Sequence, residues 1–108
     1  MPTKTYSALR LSPLPNQSVQ TVINGQSFVI HIRQIGASLF TSTNVDGEQI
    51  TETVRATDGG SLTPWPHSAV KTDLRWIDTV GHEPPNYAGL GDRWLIVFED
   101  STDGEQLQ

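Results

Sequence analysis

Glu83-Pro84-Pro85-Asn86-Tyr87-Ala88-Gly89-Leu90-Gly91-Asp92-Arg93-Trp94 runs straight into Leu95-Ile96-Val97-Phe98 in a chain of 108 residues. Pro84 and Pro85 fix φ and remove two backbone donors, so the stretch starts as a stiff loop. Gly89 and Gly91 allow a positive φ or a tight approach just before a strand. That strand, Arg93–Glu99, is apolar on both faces, with Trp94, Ile96 and Phe98 on one and Leu95 and Val97 on the other. A strand with water on one side alternates, whereas one that is apolar throughout lies in the middle of a sheet or between two sheets. The rest of the chain therefore has to supply its neighbours.

Working outward, two hairpins stand out. Ser18–Ile23, Asn24-Gly25 and Gln26–Gln34 form the first. Asn-Gly suits a two-residue type I′ turn, which needs φ > 0 at both positions. In its second arm Phe28, Ile30 and Ile32 share the predicted core face, and Val29, His31, Arg33 and Ile35 share the other. Gly36-Ala37-Ser38 is the next turn. The second hairpin pairs Leu39–Val45 with Gln49–Ala56 across Asp46-Gly47-Glu48, with Val45, Ile50 and Val54 as its buried members. Its run of Thr, Val and Ile favours strand over helix.

The remaining segments are shorter. Tyr6–Leu11 reads as a strand, stopped by the two prolines of Ser12–Gln17. Thr57–Gly60 is a turn. Ser61–Lys71 carries Pro64-Trp65-Pro66 and is neither a regular helix nor a central strand; Trp65 there is either a core plug or an exposed anchor. Leu74–Val80 is a strand with Leu74, Trp76 and Val80 on one side. Strands recurring every 8–12 residues, with turn signals between them and no sustained helical spacing, predict an all-β fold. It is a small barrel or sandwich of about six to eight short, mostly antiparallel strands. One domain spans 1–99 with a short arm at 1–5, and an acidic tail at 100–108 is expected to be disordered.

Composition narrows the function. Seven Lys and Arg stand against 12 Asp and Glu, a formal net charge of −5. That excludes a general nucleic-acid binder, which needs a basic stripe. Glu99, Asp100, Asp103 and Glu105 crowd the last ten residues and leave the body near neutral. With no Cys, disulfides and thiolate metal sites are ruled out. The longest apolar run, Trp94–Phe98, is too short for a bilayer, and the N-terminus lacks a signal-peptide pattern. At 35% the hydrophobic content is low; either a partner completes the core or the polar surface is large.

Candidate chemistry does not survive spacing checks. His82-Glu83-Pro84-Pro85-Asn86 begins like a zincin motif but lacks the second His and the helix. His31, His67 and His82 lie on separate elements without ligand spacing. Gly89-Leu90-Gly91 has Trp94 where a phosphate loop needs its third Gly. No nucleophile elbow is present. Neither a catalytic residue, a cofactor nor a metal is assigned, and the chain is not read as an enzyme. Arg93 has two open readings: an ion pair with Asp78 or Asp92, or an interface arginine in a contact patch with Tyr87, Leu90 and Trp65.

The run from Pro84 to Trp94, preceded by Trp76-Ile77-Asp78, resembles the C-terminal signature of the phage baseplate plug family, small tail proteins of contractile-tailed bacteriophages. That signature is an acidic residue, Pro, an aromatic, Gly-Leu-Gly, then Arg and an aromatic leading into an apolar strand. Pro15-Asn16-Gln17 and Asn24-Gly25-Gln26 agree in the N-terminal half, so the resemblance spans about residues 9–99. Ser61–Lys71 and the acidic tail depart from it. The resemblance implies a structural protein of the virion tail baseplate, present in the host cytoplasm during assembly, near the hub and the start of the tube. Its partners would be hub and tube-initiator proteins and its own copies in a symmetric ring, without nucleic acid, membrane or cofactor. The alternative from the residues is a stand-alone ligand-binding β-barrel, OB-like or carbohydrate-binding, stacking ligands on Trp65, Trp76, Trp94 and Tyr87.

Overall fold

Both hairpins form where the turn chemistry places them. A computed structural model describes residues 5–64 and 68–100. Its strands are β1 (Thr5–Ala8), β2 (Asn16–Ile23), β3 (Gln26–Ile35), β4 (Ser38–Val45), β5 (Glu48–Arg55), β6 (Arg75–Asp78) and β7 (Trp94–Asp100). Asn24 and Gly25 have φ of 50° and 84°, and Asp46 and Gly47 have 52° and 84°. Both are thus two-residue primed turns, whose twist matches that of the strands they join. Glu48 belongs to β5 and not, as the sequence suggested, to the turn.

The hairpins join into a four-stranded antiparallel meander, β2-β3-β4-β5. Phe28, Ile30 and Ile32 are fully buried on its inner face, opposite Val45, Thr43 and Thr41 of β4. Val45 is buried as expected, but Ile50 and Val54 are only half-buried. The cause is β5, whose pairing with β4 shifts register twice. Thr51 takes the inner position instead, and its Oγ1 accepts the Thr43 N–H at 3.1 Å.

The second sheet, β1-β7-β6, draws strands from both ends of the chain. Tyr6 pairs with Glu99 and Ala8 with Val97 on one side of β7; Arg75 pairs with Val97 and Asp78 with Trp94 on the other. β7 is the middle strand, as its two apolar faces predict. Trp94 and Ile96 enter the core beside Trp76, and Leu95 and Val97 lie half-buried on the outer side. β1 is shorter than predicted, because Leu9 and Leu11 leave the sheet to fill the core. The Leu9 N–H still donates to the Ile96 carbonyl at 2.9 Å. β6 is shorter as well: it ends at Asp78, and Val80 is 73% exposed instead of following Leu74 and Trp76 inward.

The two sheets share one core and form a sandwich, stitched along one side by side-chain amides. Asn24 Nδ2 donates to Thr72 Oγ1 at 2.7 Å. Gln26, buried in the core, donates to the Ala69 carbonyl at 2.9 Å and accepts from the Lys71 N–H at 2.8 Å. These bonds give partners to polar groups of the connection between β5 and β6. That connection also supplies Leu62 and Val70 to the core. Trp65 and the acidic tail beyond Asp100 lie outside the described residues.

Candidate functional site

The loop from Glu83 to Trp94 folds over one end of the small sheet, and local hydrogen bonds dictate its shape. Pro85 is buried and Pro84 exposed. Asn86 caps a single 3-10 turn, Tyr87–Gly89, its Oδ1 accepting the Ala88 N–H at 3.1 Å. The Gly89 carbonyl then accepts from the N–H groups of Asp92 and Arg93. Gly91 has φ +84°, and a Cβ there would collide with the Leu11 carbonyl, so it meets both requirements expected of it. Gly89 has an ordinary φ; its requirement is proximity alone, because a Cβ would overlap the Trp94 ring.

Asp78 is the pivot of the site. Its side chain is fully buried, and its carboxylate takes two parallel bonds from Arg93, Nε to Oδ1 and Nη2 to Oδ2, each 2.8 Å. Oδ1 also accepts the Val80 N–H at 3.0 Å and Oδ2 the Glu83 N–H at 2.9 Å. Arg93 first, then these backbone donors with that of Gly81, hold the carboxyl far below the usual carboxylate range, against a burial that pushes it up. Arg93 is raised in return, chiefly by Asp78. This collar of donors also ends β6: the chain wraps around the carboxylate, and Val80 is thrown outward.

Further contacts lock the loop. The Arg93 guanidinium lies 4.4 Å from the centroid of the Trp94 ring, a cation–π stack. Trp94 Nε1 donates to the Glu83 carbonyl at 3.1 Å, and Thr79 caps the Arg93 carbonyl through N–H and hydroxyl at 2.9 and 2.8 Å. Asp58 accepts the Asp78 N–H at 3.2 Å and lies 3.0 Å from the exposed ring of His82. The Tyr87 N–H donates to Gln34 Oε1 at 3.1 Å, tying the loop to the other sheet.

The predicted patch divides accordingly. Tyr87 and Arg93 are both partly accessible at the loop. Leu90 is 2% exposed, because the turn over Gly89 points it into the core, so it cannot meet a neighbour without rearrangement. Of the two open readings of Arg93, the ion pair is present and its partner is Asp78; Asp92 is exposed. A saturated, ionised Asp78 has no proton to exchange near neutrality. Gln34, Asp58 and Glu83 were not anticipated as fasteners of the loop. Their contacts span distant segments, and nothing in their local sequence marks them. Trp76 and Trp94 are 2% and 7% exposed, which removes two of the proposed stacking surfaces. A depression of about 420 Å³ lies elsewhere, walled by Tyr6, Lys71, Arg75, Val97 and Glu99, with charges of both signs.

Among family models, the one described as cyanophage baseplate Pam3 plug gp18 matches residues 6–101 of the chain. No curated protein matches it.

Proposed function

The chain belongs to this family of phage baseplate plug proteins, and we propose that it sits near the hub and the start of the tube, helping to close or organise the tail tip. The match across 6–101, which takes in both sheets and the Glu83–Trp94 loop, is the observation that carries this reading. A loop pinned by a buried ion pair, a cation–π stack and two glycines holds its outer side chains in fixed positions. Such preorganisation lowers the cost of docking, and it serves a structural role without catalysis or cofactor. Tyr87 and Arg93 form the docking patch, with Trp65 as a further anchor, and hub and tube-initiator proteins are its partners in the tail and, before that, in the host cytoplasm. Copies of the chain arranged around the tail axis make a symmetric ring.

The test is a map of intact tail tips together with copurification of the chain with hub and tube-initiator proteins. Density for this fold at the junction of hub and tube, with Tyr87 against a neighbour, is the expected result. A position at the baseplate periphery, or Tyr87→Ala leaving copurification unchanged, would reject the placement or the patch respectively.

A further inference from the structure

A sandwich of two sheets has four edge strands, and three of these are defended. β1 and β6 are four residues each. β5 is broken by two register shifts and carries Glu48, Glu52 and Arg55. Short length, bulges and charge are devices that discourage pairing with another chain. β2 has none of them. It runs eight residues, Asn16–Ile23, in unbroken register with β3, and it contains neither charge nor proline.

Its outward groups follow from the hairpin. The two-residue turn makes Ile23 and Gln26 a hydrogen-bonded pair, so Thr21, Val19 and Gln17 also bond to β3. Asn16, Ser18, Gln20 and Val22 therefore aim their backbone N–H and C=O groups away from the sheet, and all four are exposed. Neither a cap nor a loop of the described residues bonds these backbone groups.

We infer that β2 of the free protein pairs antiparallel with β2 of a second copy, joining two four-stranded sheets into one of eight. The register is set by the strand itself. Setting Asn16 opposite Val22 and Ser18 opposite Gln20 brings every outward group to a partner, and the arrangement maps onto itself under a two-fold axis. The same register puts half-buried Val19 against its own copy on the inner side. It also carries Val22, 72% exposed, to the end of the other β2 where Leu14, 50% exposed, sits. Because β2 carries no charge, no like charges stand directly opposite each other across the paired strands. This contact is isologous, distinct from the ring contacts proposed above, and does not rest on the chain's place in the tail.

The experiment is sedimentation velocity over a concentration series on the full chain, with amide hydrogen exchange resolved by residue. The mass should double with concentration while the amides of Asn16, Ser18, Gln20 and Val22 become protected. Asn16→Lys with Val22→Lys puts lysines directly opposite each other twice and should abolish the dimer without changing the Tm of the dilute protein. Gln20→Pro, which deletes one outward donor, should act in the same direction. A chain that stays monomeric at every concentration overturns the inference. So does a dimer whose four amides still exchange freely, or protection that appears only when another baseplate protein is added.

Discussion

In the four-stranded sheet every strand pairs with its neighbour in sequence, whereas in the three-stranded sheet the central strand comes from one end of the chain and one of its partners from the other. The first is built by turns: two primed hairpins and a strand-period pattern close it locally. The second is built by side chains. Arg93 reaches back to Asp78, Trp94 to Glu83, and Gly91 lies against Leu11. Local propensity is enough for one sheet of this sandwich; the other depends on a few long-range contacts that fix where its strands start and stop. Backbone freedom should matter modestly in the first sheet, and close approach should matter more in the second.

The sharpest challenge to that division is Gly91→Val. It adds a β-branched side chain at φ +84° and drives it into the Leu11 carbonyl. Strain and overpacking together should cost about 4 kcal/mol or more, a large part of the ~5–15 kcal/mol that holds a domain together. Denaturant unfolding would measure it, and a cost under about 1 kcal/mol would show that the loop yields. In the other sheet the strongest lesion should be a hole: Phe28→Ala, at a fully buried position, is expected to cost about 3–4 kcal/mol.

Asp78→Asn should produce a smaller fall in Tm at neutral pH, and its pH dependence identifies the cause. The folded-state pKa is depressed, so the carboxylate's contribution is fully present above the unfolded value near 4 and is lost as pH falls below it. The stability gap between parent and variant should stay constant from pH 8 to about 5 and narrow below about 4. A constant gap down to pH 2 would mean that the side chain acts by shape and not by charge. The smallest effect belongs to a turn. Gly25 has the same φ as Gly91, +84°, but nothing lies within 4 Å of a Cβ there. Gly25→Ala should cost only about 1 kcal/mol. Gly91→Ala measured beside it isolates the collision from the backbone strain, and equal costs would erase the distinction between the sheets.

Legibility followed the same line. Asn24-Gly25 and Asp46-Gly47 named their turns, and Phe28, Ile30 and Ile32 named the core face, because both signals are local. The doubly apolar pattern of β7 gave away its central position. The end of β6 was hidden: Leu74, Trp76 and Val80 keep strand spacing, and only the donors that converge on Asp78 from Val80, Glu83 and Arg93 explain why Val80 turns out. Leu90 was placed in the contact patch with Tyr87, Arg93 and Trp65, yet the loop folds it inward. Gln26 looked like an ordinary strand start, and a buried amide that clips Ala69 and Lys71 has no mark in composition. The ion pair itself was half readable, since the sequence offered Arg93 two carboxylates and burial chose between them.

The central position of β7 also bears on synthesis. On the ribosome the meander of β2 to β5 emerges early and can fold as it appears, as domains formed from local contacts do. β1 and β6 emerge before β7 as well, but they have no strand between them until Trp94–Asp100 has been made. A prematurely terminated chain therefore carries a finished sheet over an unfinished one, with Trp76 uncovered. Closure of the sandwich therefore waits on Trp94–Asp100, the strand that β1 and β6 both need.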